Sequence, residues 1–468
     1  MCDGTKPLTQ ISAQLAFMIS AIVIAVMGVT MIGFGWVPHL SLLLAICVLL
    51  AIGLFKGLSF DDMQAQMASG VMSGIGAIYL FFFIGLMVAT LMMSGAIPTL
   101  MYYGFELISP EFYYISAFVL TSIIGIALGS SLTTAATLGV AFIGMSHAFD
   151  ANVAIAAGAV VSGAFFGDKM SPLSDTCTIA SSVVGIDLFA HIRNMMYTTV
   201  PAWLLTVVLF WFLSGSTTGS DLNQVTLLQG QLIDSGLIHN YAVLPFIVLI
   251  GLALLRVNAI YTIICTIIAA LIITYIHSSP SLGALGSYLF GGYAPAESLE
   301  LGEVGGMLSR GGVQSMFFTQ MIVILALSLG GLLTALGILP ALLLGIKSSL
   351  TSSGRAIFAA AMSALSINVL IGEQYLSILI SGTTFRSTFE RLNLHPKNLS
   401  RTIEDAGTVI NPLVPWSVCG VFISQALGVP VLDYLPYAFF CYLSLLLTLL
   451  FGFTGITISS ANAAIVKD

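Results

Sequence analysis

Apolar segments of 18 or more residues, almost free of charge, recur along this chain from Ala13 to Ile456. Each is long enough to cross a hydrocarbon core of about 30 Å. In lipid every backbone N–H and C=O must find a partner inside its own element, and runs of this length select helices, not a barrel. Charged residues make up 7% of the 468 and apolar ones 58%, where soluble domains carry about a quarter charged. The chain therefore reads as an all-α polytopic membrane protein whose first partner is the bilayer. Its first apolar run, residues 13–36, is too long for a secretory signal and lacks a basic leader with a small-residue cleavage site, so it reads as a retained span. A net charge of −7 without a basic tail points away from nucleic acid. The six cysteines are scattered, with no CxxC spacing, and read as small buried hydrophobes.

Ten spans are expected, near residues 13–33, 39–57, 72–94, 152–184, 195–214, 238–255, 258–277, 313–334, 403–427 and 434–454. Segments 113–150 and 355–393 read instead as re-entrant hairpins, because polar, glycine-bearing tips interrupt them: Gly129-Ser130-Ser131-Leu132-Thr133-Thr134 and Gly372-Glu373-Gln374. With both termini cytoplasmic, Lys6, Lys56, Arg193, Arg256, Lys347, Arg355, Arg386, Arg391, Lys397, Arg401 and Lys467 all fall inside. Only Arg310 falls outside, and Lys169 falls within the membrane. The outer loops carry Glu106, Glu111, Asp221, Asp234, Glu297, Glu300, Glu303 and Asp433.

Under this count the two hairpins enter from opposite sides, which makes the halves inverted repeats. Gly70-Val71-Met72-Ser73 is echoed by Gly312-Val313-Gln314-Ser315, and Gly95-Ala96-Ile97-Pro98 by Gly337-Ile338-Leu339-Pro340, both at a spacing of 242. Ser171-Pro172-Leu173 is echoed by Asn411-Pro412-Leu413 at 240. The expected organisation is N-terminal helices in 1–68 and a first repeat in 69–214 with its hairpin at 113–150 and a broken helix at 152–184. A linker, 215–309, holds two spans and an outer loop; a second repeat, 310–456, has its hairpin at 355–393 and broken helix at 403–427; 457–468 is a cytoplasmic tail. Interrupted helices at matching positions in two halves point to a transporter's binding site.

The chemistry concentrates in Gly167-Asp168-Lys169-Met170-Ser171-Pro172-Leu173-Ser174-Asp175-Thr176. Each Asp or Lys at a helix centre in a bilayer costs roughly 2.5–3.5 kcal/mol, so three together ask for a function. Pro172 has no N–H to offer the carbonyl of Asp168 and its ring clashes there, so the helix opens. The side-chain oxygens of Asp168, Ser171, Ser174, Asp175 and Thr176 can then converge with the freed carbonyls, a donor set that suits a hard cation. A carboxylate removed from water also has reason to take up a proton. A site holding either a cation or a proton is the minimum machinery of an antiporter. Lys169 has three readings: a packing pair with Asp168, neutralisation of Asp175, or snorkelling to water.

In the second half, Pro412 frees the carbonyl of Thr408 and Pro415 that of Asn411. Glu373, either a ligand or a helix cap, is the only carboxylate expected at depth there. Ser130, Ser131, Thr133 and Thr134 are either ligands or back-bonded hydroxyls. The six histidines fall near span ends or in loops and make no metal spacing.

The segment 167–176 resembles the NhaC-type sodium/proton antiporter family of bacterial inner membranes, and the resemblance extends over nearly the whole chain, including Asn411-Pro412-Leu413. It implies a member of the wider ion-transporter superfamily: inverted repeats with re-entrant hairpins, frequently moving as an elevator and frequently dimeric. It implies Na+ and H+ as transported ions, no cofactor, and an inner-membrane location. The family pattern usually continues with a second threonine and an asparagine after Asp175-Thr176, where this chain has Cys177-Thr178. Some members resemble malate/lactate exchangers or amino-acid carriers, so a coupled carrier of a small organic acid or amino acid is the alternative. An intramembrane aspartyl protease is more remote, since Phe165 replaces the first glycine of its GxGD signature. A passive channel is the remaining alternative.

Overall fold

The computed structural model describes residues 7–214, 222–296, 299, 301–347 and 350–461. Lys6, Asp221, Glu297, Glu300 and Lys467, to which the charge rule assigned sides, lie outside the described residues, as do Cys2 and most of the tail. Helices α1 (Ala13–Gly28), α2 (Pro38–Phe55), α3 (Phe60–Ser73), α4 (Ile75–Met93) and α5 (Ala96–Leu107) lead into the first hairpin. That hairpin is α6 (Tyr113–Leu128) and α7 (Ser131–Thr134), continued by a wide turn to α8 (Val140–Ala148). The broken span follows as α9 (Val153–Met170) and α10 (Asp175–Val184), then α11 (Leu188–Ser214). Helices α12 (Leu222–Asp234), α13 (Leu244–Leu254), α14 (Ala259–His277), α15 (Leu282–Gly291) and α16 (Gly302–Leu308) join the halves. The second half holds α17 (Val313–Ala335), α18 (Ile338–Lys347), the hairpin α19 (Ser353–Ile371) and α20 (Gln374–Arg391), and the broken span α21 (Pro396–Gly407) and α22 (Val418–Leu427). Helices α23 (Val431–Tyr434) and α24 (Phe439–Thr454) close the chain.

Among the described residues there is no strand, and eight helices are long and apolar enough to cross a membrane, eleven if each bent pair counts as one span. Phe17, Phe55, Trp211, Phe212 and Ile276 stay exposed, the pattern of surfaces facing acyl chains. Helix α9 is the reverse: 78% of its apolar window is buried inside the protein, which places it at the centre.

Three boundaries differ from the expectation. The span expected at 72–94 is preceded by α3, which meets α4 at a 45° bend across Gly74. The linker expected at 215–309 contains, besides its two spans, the 13-residue helix α12. The second broken span begins at Pro396, not at 403, because His395 caps a polar helix whose residues from Asn398 onward are all buried. Its polarity reads as a loop in sequence, yet helices on all sides cover it.

Each hairpin turns through two residues, by the same device. Gly129 (φ 66°) and Gly372 (φ 78°) end the incoming helices in the left-handed conformation that glycine adopts without strain. Ser130 and Glu373 follow at once as N-caps: Ser130 Oγ accepts from the N–H of Thr133, and the Glu373 carboxylate from that of Leu376.

What brings the first tip to the break of α9 is close approach of α6 and α9. Gly163 and Gly167, four residues apart, lie against α6, and a Cβ on Gly167 would strike backbone atoms of Gly125 and Ile126. Gly167→Ala is expected to lower stability by about 1–3 kcal/mol by forcing α6 and α9 apart. Thermal melting of the purified protein in detergent checks this, and a wild-type curve contradicts it.

Candidate functional site

The break between α9 and α10 lies at residues 171–174. The Asp168 carbonyl, left without its helical partner by Pro172, accepts from the N–H of Ser171 (3.2 Å) and faces the Cys177 thiol (3.7 Å). The freed carbonyl is thus satisfied locally and does not join the side-chain oxygens as expected. Ser171 is used in the same way, its Oγ accepting from the N–H of Leu173 at 3.2 Å.

Asp168 is 5% exposed and held by three donors. Its Oδ2 accepts from the N–H (3.2 Å) and Oγ–H (2.7 Å) of Ser131 at the hairpin tip, and its Oδ1 from Ser174 Oγ at 2.6 Å. Ser174, the N-cap of α10, also lies 2.9 Å from Thr176 Oγ1. Asp175 occupies the first turn of α10, exposed to the cavity described next.

That cavity, of about 320 Å³, is walled by Ser130, Ser131 and Thr133 of the first tip, by Pro172, Asp175 and Thr176 of the break, and by Gln374 and Tyr375 of the second tip. Asp168 lies at its floor, and Arg256 and Asn258, between α13 and α14, line it together with Ala259 at the start of α14. The structure therefore gathers Asp168, Asp175 and Thr176, with both hairpin tips, around one space, and Ser174 supports Asp168 from behind it.

Other expected members lie elsewhere. Thr134 is back-bonded, its Oγ1 donating to the Ser130 carbonyl at 2.8 Å. Asn411 fastens the second half: its Nδ2 donates to Asn368 Oδ1 (2.9 Å) and the Gly372 carbonyl (3.2 Å), and its Oδ1 accepts from the N–H of Cys419. The Asn411 carbonyl freed by Pro415 accepts from Ser417 Oγ, and the Pro412 carbonyl from the Tyr434 hydroxyl at 2.6 Å. Glu373 is a cap and does not line the cavity, although its neighbours Gln374 and Tyr375 do.

Lys169 pairs with none of its expected partners. Its Nζ bonds to Asp405 of α21, both side chains being fully buried, and donates to Ser444 Oγ at 2.7 Å. Asp405 also accepts from Thr198 Oγ1 (3.0 Å), Ser444 Oγ (2.9 Å) and Thr448 Oγ1. One α-helical step turns a side chain by about 100°, so Lys169 points away from the face that carries Asp168. The pair ties the two broken spans together next to the cavity.

Sequence reasoning missed Glu404 and Asp405, although both fall inside the span expected at 403–427, because it counted Glu373 as the only deep carboxylate of that half. Both are fully buried. A buried ammonium requires a buried anion, so Lys169 itself was the signal that a partner existed. His191 is a second correction: it is fully buried, its Nδ1 2.8 Å from Ser400 Oγ, not at an interface.

An acidic cavity at the break of a proline-broken helix, between two hairpin tips, defines the class: a secondary membrane transporter. The family model described as "Na+/H+ antiporter family" matches residues 163–456. The chain is 39% identical to the Na+/H+ antiporter NhaC of Alkalihalophilus pseudofirmus, over 91% of this chain and 92% of that one. It is 39% identical to the Na+/H+ antiporter NhaC of Bacillus subtilis, over 89% and 92%. It is 34% identical to the arginine/ornithine antiporter ArcD of Halobacterium salinarum, over 85% and 83%. This chain belongs to the Na+/H+ antiporter family.

Proposed function

We propose that the chain exchanges Na+ for H+ across the bacterial inner membrane, with Asp168 alternately holding a proton and a sodium ion. The observation that carries this reading is a buried carboxylate at the floor of a cavity, ringed by hydroxyl and amide groups. A hydroxyl has one proton to donate and two lone pairs. Ser131 and Ser174 therefore donate to a bare Asp168 and can turn their lone pairs to an arriving cation. Sodium must displace the proton to share the carboxylate, so the two ions compete, as any metal and proton do on one ligand. Asp175, exposed in the wall, draws cations toward the floor.

The inverted arrangement of residues 69–214 and 310–456 is part of the proposal; the paired glycine–cap turns at both tips and the paired breaks support it. The cavity is lined by the Arg256 loop, and positive residues favour the cytoplasmic side. On that reading this conformation faces inward, with the termini in the cytoplasm.

In inside-out vesicles Na+ added to a pre-formed pH gradient is expected to dissipate it, and labelled malate, lactate and amino acids are expected to show no counterflow in proteoliposomes. Counterflow of an organic solute without Na+-driven proton movement contradicts the reading.

A further inference from the structure

Beyond the floor of the cavity lies a second set of oxygens with no assigned role. Glu404 is fully buried, and no well-formed hydrogen bond reaches either of its carboxylate oxygens. Thr408, one turn further along, is equally buried, and its hydroxyl is also unpartnered. The hydroxyls of Thr176, from the first break, and Thr408, from its own segment, face Glu404 without making full hydrogen bonds to it. Thr176 Oγ1 is in turn 2.9 Å from Ser174 Oγ, which donates to Asp168. A line of oxygens thus runs from Asp168 through Ser174 and Thr176 to Glu404.

The charged groups around Glu404 do not satisfy it. From α9 it meets Asp168, a like charge, and Lys169, which is committed to Asp405 and Ser444. Arg401, three residues earlier on α21, sends its Nη1 to Thr457 Oγ1 at 3.0 Å. Among the described residues no ion pair includes Glu404. A buried carboxylate faced only by two distant hydroxyls is strongly unfavourable unless a proton or a cation reaches it. Thr408 also caps the C-terminal end of α21, where the helix dipole is negative and favours positive charge. Carboxylate and hydroxyl oxygens are the donors that small hard cations take.

We propose that Glu404, Thr408 and Thr176 form a second binding station for a small hard monovalent cation, one hydroxyl step beyond Asp168. The station rests on the Na+/H+ reading above and deepens it: the cation occupies two places in the protein, one open to the cavity and one enclosed between the two broken spans.

The test is equilibrium binding of radioactive Na+ to the purified full chain in detergent at alkaline pH. The wild type is expected to bind two Na+ per chain, Glu404→Gln and Asp168→Asn one each, and the double variant none. Thr408→Val and Thr176→Val, which remove only hydroxyls, report on the station even if Glu404→Gln does not fold. They are expected to weaken one of the two binding events by about tenfold or more. One Na+ per wild-type chain, with affinity unchanged in the threonine variants, overturns the station and leaves the exchange reading standing. No Na+ bound by the wild type, with no Na+-driven proton flux, overturns both.

Discussion

Asp168→Asn is expected to abolish Na+-driven proton movement in vesicles while leaving the protein folded. The amide keeps the shape of the carboxylate, and its oxygen can still accept from Ser131 or Ser174, which hold Asp168 in the native chain. It can neither release a proton nor present a negative charge. Hydrogen bonds and contacts to a charged group contribute about 1.5–3 kcal/mol, so cation binding at the floor weakens by about ten- to a hundredfold. Proton exchange falls to background, because the exchanged proton has no group to ride on. Glu at this position is expected to fare differently, since it keeps the charge but is too long for the Ser131 tip. Exchange at the wild-type rate in the asparagine variant would remove Asp168 from the mechanism.

The second large effect concerns stability. Lys169→Met leaves Asp405 charged and fully buried, with only the hydroxyls of Thr198, Ser444 and Thr448 to hold it. Breaking one side of a buried pair typically destabilises by about 3–5 kcal/mol, whereas replacing both partners by apolar groups is frequently neutral. Lys169→Met alone is therefore expected to melt well below the wild type in detergent. The double replacement Lys169→Met with Asp405→Leu is expected to recover much of the loss, so that the coupling between the two positions exceeds the cost of either single change. If the single variant melts as the wild type does, the pair does not hold the broken spans together.

How much of this was legible in the sequence differs between the halves. The break at 171–174 and the tips at Gly129 and Gly372 follow from proline's missing N–H and glycine's left-handed backbone, both local properties. Asp168 and Asp175 stood out because charge in an apolar run is conspicuous. Glu404 and Asp405 did not, because they sit at the first residues of the span expected at 403–427, directly after a polar, basic stretch, where charge is not conspicuous. The burial of α21 comes from helices distant in sequence, among them α10, α11, α19 and α24. The partner of Lys169 is 236 residues away, and no spacing along one helix could name it. Asn411 was legible as a symmetry mate of Ser171 but not as a fastener, since that role depends on Asn368 and Gly372 of the facing hairpin.

The central claim is that sodium and a proton compete for one carboxylate at the cavity floor. Its most direct measurement is proton release on Na+ addition to the purified chain in weakly buffered detergent, read with a pH-sensitive dye. The wild type is expected to release protons in a saturable, Na+-dependent manner that Li+ can replace in part and choline cannot, and Asp168→Asn is expected to lose the release assigned to the floor. Saturable Na+ binding with no proton released, or release undiminished in Asp168→Asn, would contradict the account.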